Sequence, residues 1–213
     1  MITVYGEGRG FRVIWMLEEM GLPHRLVNID LLSGEVHDPD FLKINPSGFI
    51  PALRDGEVAM VESIAMLEYL AARHGPTPLV PLTNDPTFPA YKQFLLLGEA
   101  GLATAAFYFL NLRRLSQHAA EDTPQIGFVR HQIDSRLALV IRQLRSTPYI
   151  AGAGFTAADI SVAYGLNLVQ YGCGLTFEET VRDYLARVRT RPAYARALET
   201  CQATKGFYRS RSD

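Results

Sequence analysis

Glu62 and Ser63 set a carboxylate and a hydroxyl side by side at the junction between a short β-type run, Val58 to Val61, and an apolar-periodic run carrying Ile64, Leu67, Tyr69 and Leu70. Serine in that position predicts a helix N-cap, and the free N–H groups at a helix start attract anions. A Glu-Ser dipeptide alone carries no specificity. A plain N-cap followed by its helix would use both residues structurally, with Glu62 as a first-turn partner of the helix dipole.

The chain around the pair must hold it in place, and Asn45 to Leu70 is legible from residue chemistry. The proline ring of Pro46 keeps Asn45 out of the helical region, and Ser47-Gly48 supplies a turn. Pro51 follows after Phe49 and Ile50. Ala52-Leu53 and Val58 to Val61 read as two strands joined across Asp55-Gly56, a strong tight-hairpin signal. The order NPxGxxPAL, a DG hairpin, ES and a helix resembles the glutathione-binding half of the glutathione S-transferases. Two features make the resemblance specific: the proline opening one hairpin strand and the Glu-Ser pair after the other.

The resemblance implies a cytosolic, bacterial-type member with an α/β, thioredoxin-like N-terminal domain and an all-helical C-terminal one. It implies glutathione as co-substrate, with no metal. Ile50, beside Pro51, would pair with the cysteinyl unit through its backbone, and the peptide into Pro51 would be cis, a form cheap only before proline. Glu62 would face the γ-glutamyl ammonium, and Ser63 the γ-glutamyl carboxylate. Phe49 stands where a polar residue often meets the glycyl end, leaving His37 or Arg9 for that contact. The enzyme must also ionise the thiol. Lowering a thiol pKa of about 8.5 by ~2 units means stabilising the anion by about 2.7 kcal/mol. The tools would lie in Tyr5 to Arg12, YGEGRGFR, which has neither serine nor cysteine. Tyr5 as hydroxyl donor and Arg9 as a nearby cation both remain open, each with a bland alternative: strand packing for Tyr5, a solvated loop for Arg9. The amides of Gly10 and Phe11 are further donors. An apolar electrophile would sit against the helix from Pro89, with Phe107 and Tyr108, of the aromatic run Phe107, Tyr108 and Phe109 that is too many for one buried face, lining its pocket and Tyr164, Phe207 and Tyr208 closing it; the alternative is that these aromatics are core. The family also implies a homodimer. Competing functions are a glutathione-dependent disulfide reductase or isomerase, and a non-catalytic glutathione-binding protein.

The remaining chain fits this plan. Ile2 to Tyr5 reads as a strand, Gly6 to Gly10 as a glycine-rich turn, Phe11 to Met20 as a helix closed by Gly21, and His24 to Ile29 as a second strand, making a right-handed βαβ unit. A helical turn falls around Asp40 to Lys43. The first domain is expected over 1–75 and a proline-rich linker over 76–88. The helical domain follows over 89–213, with segments near Pro89 to Leu115, Gln125 to Arg145, Thr156 to Gln170, Glu178 to Arg189 and Ala193 to Thr204. Thr156 and Asp159 form a capping-box pattern, read as structural. Phe94 to Leu112 is nearly long enough to span a bilayer, but Glu99 and Asn111 interrupt it, so a buried bundle helix is expected. Of 213 residues, 48% are hydrophobic and the formal net charge is −1, with the basic tail residues Lys205, Arg209 and Arg211 the one grouping. Nucleic acid and membrane are not expected partners. Ile2 to Tyr5 lacks the character of a secretory leader, which predicts a cytoplasmic location. Cys173 and Cys201 have no metal-ligand spacing and suit a reducing compartment.

Overall fold

The computed structural model describes residues 1–30, 33–115 and 123–210; Arg211 of the basic tail lies outside them. Contacts among the described residues divide the chain into two compact units, Met1–Thr77 with Arg189–Arg209, and Pro78–Val188.

The first unit is built on a four-stranded sheet of order β2-β1-β3-β4. Strand β1 (Ile2–Tyr5) buries Ile2 and Val4, and helix α1 (Gly10–Met20) returns the chain to β2 (His24–Val27), which runs parallel to β1 with His24 opposite Ile2. Gly21, at φ 65, donates its N–H to Glu18 and Leu17 carbonyls and closes α1 as expected. Strand β2 stops at Val27 rather than Ile29, which packs against the cluster of Val36, Phe41 and Ala52. Helix α2 (Pro39–Ile44) starts where the Asp38 carboxylate accepts the N–H groups of Asp40 (2.8 Å) and Phe41 (3.3 Å). Strands β3 (Ala52–Asp55) and β4 (Val58–Val61) form the hairpin, β3 antiparallel to β1, and helix α3 (Ser63–His74) follows. Asp55, at the hairpin turn, is bonded by His74 (2.6 Å) and Tyr69 (3.0 Å) from α3. Burial pushes the Asp55 carboxyl up, but these two partners outweigh it and hold the pKa below the ordinary value.

Helix α1 is buried from Gly10 through Leu17, so the sheet alone cannot cover it. Its other side is taken by helix α9 (Pro192–Thr200) and helix α10 (Gln202–Arg209), both far along the chain. The Trp15 and Tyr194 rings meet edge to face at 4.8 Å, and Arg191 forks onto the Glu19 carboxylate at 2.6 and 2.7 Å. These helices fall inside the 89–213 stretch that reads as one helical domain, yet they group with Met1–Thr77. Pattern alone does not reveal that their partner is the first helix of the chain.

The second unit is helical. Helix α4 (Phe88–Leu96), a π-helical stretch (Leu97–Ala103) and helix α5 (Thr104–Leu115) continue one another. Helix α6 (Pro124–Leu144), helix α7 (Ala157–Asn167) with its π-helical continuation (Leu168–Gly172), and helix α8 (Glu179–Arg189) follow. Phe88–Arg114 is long and apolar enough to cross a membrane by composition, yet Tyr91, Phe94, Leu95, Leu102 and Phe109 are buried in this unit. At Gly98 a Cβ would lie 2.3 Å from Ser161 Oγ of α7, and that hydroxyl donates to the Leu95 carbonyl at 2.7 Å. Only glycine allows this approach. Every residue of α7 is buried. Its start is fixed by Asp159, whose carboxylate accepts the N–H groups of Ile150 and Thr156 (2.8 Å each), the Thr156 hydroxyl (3.2 Å) and the Tyr184 hydroxyl (3.0 Å). The segment read as a linker joins this unit from Pro78: Leu79 is buried and its carbonyl accepts the Ala157 N–H at 2.9 Å.

Candidate functional site

Two backbone segments from opposite ends of the sheet sequence meet in the first unit. The turn leaving β1 passes Gly6 at φ 83, where a Cβ would stand 2.4 Å from Ile50 Cγ2. A side chain there would collide with Ile50 and strain the backbone as well. At the far end of the turn, a Cβ on Gly10 would be 3.3 Å from Pro51 Cβ. Gly6 to Gly10 therefore lies directly on Ile50-Pro51, and the peptide joining those two is cis. The loop before them is shaped by buried Asn45, whose side-chain amide bonds the Phe49 carbonyl while its oxygen accepts the N–H (3.0 Å) and hydroxyl (2.6 Å) of Ser47. Phe49 is exposed, as is His37 beside Gly48. Among the described residues, neither backbone group of Ile50 has a hydrogen-bond partner, leaving both available to an extended peptide.

The strand-to-helix junction differs from the expected cap. Glu62, not Ser63, is the N-cap of α3, with an exposed side chain and φ 69, the one non-glycine residue at positive φ among those described. Ser63 is the first helical residue and 3% exposed, and its side chain makes no cap bond. Instead its Oγ accepts from Arg12 Nη2 at 2.6 Å, a buried contact. Arg12, in α1, is fully buried. A charge needs a partner to sit in a core, and part of what pairs this one is the serine hydroxyl. Having accepted there, Ser63 keeps its own O–H as a donor. Local spacing does not foretell this buried contact of Arg12. The available signal was a charged residue inside the apolar run Gly10 to Leu17 of a helix.

The Tyr5 ring lies 6.2 Å from that of Phe41 and packs against the cluster of Val36, Phe41 and Ala52 with Ile29, Ile44 and Ile50. Gly10 N–H donates to the Glu7 carbonyl and Phe11 N–H to the Gly8 carbonyl, both at 3.0 Å, so these amides build the turn. Arg9 is half-buried and is the N-cap of α1. On the second unit Phe107 and Tyr108 stand 40% and 56% exposed, whereas Phe109 and Tyr164 are buried. Tyr208 is buried in the first unit, with its ring 6.3 Å from Phe11. Among the described residues no cluster of His, Cys, Asp and Glu is suited to a metal, and burial pushes the Cys201 thiol up, with the Glu7 carboxylate adding to it.

The sheet order, the parallel βαβ unit and the proline-opened hairpin define a thioredoxin-like domain, here with a largely helical remainder. The family model of the glutathione S-transferase N-terminal domain matches residues 10–73. The disulfide-bond oxidoreductase YfcG of Escherichia coli K12 is 30% identical over 203 residues, covering 91% of each chain. The glutathione S-transferase GstB of the same organism is 27% identical, covering 93% of this chain and 98% of its own. A glutathione transferase family member from Pseudomonas fluorescens, solved with two glutathione bound, superposes with a TM-score of 0.82 at 25% identity, covering 93% of this chain and 92% of its own. The chain belongs to the glutathione S-transferase family and is an enzyme of that type, with glutathione as its co-substrate.

Proposed function

We propose that this transferase holds glutathione along Phe49, Ile50 and Pro51, with Glu62 facing the γ-glutamyl ammonium and the Ser63 hydroxyl donating to the γ-glutamyl carboxylate. The observation that carries the reading is the apposition of the Gly6 to Gly10 turn on Ile50-Pro51, which brings Arg9 and the start of α1 to the segment that pairs with the cysteinyl unit. Arg9, a permanent cation at a helix N-terminus, lowers the thiol pKa; Tyr5, packed on Phe41, serves the fold. The thiol proton leaves to solvent and the thiolate sulfur attacks an electrophilic carbon. With a chloronitrobenzene a C–S bond forms and chloride departs with the C–Cl electron pair. Disulfide exchange by the same thiolate is the second reading, favoured by the similarity to YfcG. The enzyme is further read as a cytoplasmic homodimer acting in detoxification, and light scattering tests the dimer. Calorimetry should show glutathione binding that the paired change Glu62→Ala and Ser63→Ala weakens strongly; unchanged affinity would sink the site. Arg9→Gln should cut turnover of the chloronitrobenzene and raise the apparent pKa of its rate profile while Tyr5→Phe does not. The reverse result moves the role to Tyr5.

A further inference from the structure

Glu7 sits in the turn between Gly6 and Gly10, and its two ends do different jobs. Its backbone carbonyl accepts the Gly10 N–H and so shapes the entry to α1. Its carboxylate is buried and reaches the start of α10, accepting the N–H of Ala203 at 3.2 Å on one oxygen and of Thr204 at 2.8 Å on the other. One residue thus satisfies two free donors at the start of a helix nearly two hundred positions away and places its negative charge at the positive end of that helix. A second contact lies on the same pair of elements. The Phe11 ring, at the start of α1, meets the edges of Tyr194 (5.6 Å) and Tyr208 (6.3 Å), from α9 and α10. Glu7 and Phe11 bracket Arg9, so the segment carrying the cation is held at both sides by the late helices.

We infer that Glu7 is a positioning residue for thiol activation: α10, gripped by its carboxylate, holds the 6–11 turn in the geometry in which Arg9 and the α1 N-terminus lower the glutathione thiol pKa. The inference rests on the proposed role of Arg9. Glutathione affinity is read through Ile50, Glu62 and Ser63, on which the turn and α1 pack, so ionisation is measured as the pKa of the bound thiol, separately from affinity.

Glu7→Gln tests this with little change of volume. A single amide oxygen replaces two carboxylate oxygens, and its NH2 faces one of the two N–H groups it should satisfy. The readouts are glutathione affinity by calorimetry, the ultraviolet absorbance of the bound thiolate against pH, and turnover of the chloronitrobenzene. The expected result is a thiol pKa raised by about one unit and turnover near neutral pH reduced by about 3-fold, at unchanged glutathione affinity. Tyr208→Leu, which loosens the second contact without touching the turn, should shift the pKa the same way by less. A thiol pKa equal to wild type in a folded Glu7→Gln protein overturns the inference, as does a loss of affinity that accounts for the loss of turnover. If wild-type protein binds glutathione with an ordinary thiol pKa, the Arg9 reading fails first, and this inference with it.

Discussion

Replacing Ser63 by alanine has two possible costs, and they differ in where they come from. As an N-cap, Ser63 would cost about 1 kcal/mol on truncation, independent of any other side chain. In the structure its side chain caps nothing and its Oγ takes a 2.6 Å hydrogen bond from the fully buried Arg12. Hydrogen bonds to charged groups contribute about 1.5–3 kcal/mol, and the truncation also leaves a buried guanidinium short of a partner. The cost should therefore vanish when the charge is absent. A cycle of Ser63→Ala, Arg12→Met and the double variant should give a coupling of about 2 kcal/mol. Trp15 is the sole tryptophan, is fully buried, and lies on the same helix as Arg12, so its fluorescence in urea reports this unit. At a slope of about 2 kcal/mol per molar, the coupling corresponds to a midpoint change of about 1 M. Additive single changes would refute the link and return Ser63 to a simple structural role.

Burial raises the Asp159 carboxyl from 3.8 to about 6 against the pull of its four donors. The folded protein then holds this proton more tightly than the unfolded chain, so the group's stabilisation is present below about pH 4 and lost as pH rises through about 6, a swing of about 3 kcal/mol. The stability advantage of wild type over Asp159→Asn should fall by that amount between about pH 3 and about pH 7 in urea titrations, and a constant difference would contradict it. Glu62→Gly should raise stability by up to about 1 kcal/mol by relieving a positive φ, while weakening glutathione binding in calorimetry. A destabilised variant with normal affinity would separate the strained backbone from ligand binding.

Local chemistry made much of the fold readable. Asn45-Pro46, Pro51, Asp55-Gly56 and Thr156 with Asp159 each act within a few residues, and the hairpin, the loop before Pro51 and the start of α7 came out as expected. Partnerships set by the folded chain were out of reach. Ser63 looked like a cap because its neighbours fit one, but its acceptor is used by a guanidinium 51 residues away. Glu7 carried no local signal at all, since its carboxylate acts at residues 203 and 204. The aromatics of α5 could not be sorted by type: Phe107 and Tyr108 face outward, while Phe109, next to them, is core.

The grouping of Arg189–Arg209 with Met1–Thr77 also bears on biosynthesis. Chains emerge from the ribosome N-terminus first, and domains generally fold as units as they appear. Here the sheet and α1 leave the ribosome early, with the apolar face of α1 awaiting Tyr194 and its neighbours. The intervening helices, contiguous from Pro78 to Val188, can complete their own core in the meantime. The unit that carries the sheet is thus the later one to close, and until it does the Gly6 to Gly10 turn waits for its fastening from α10.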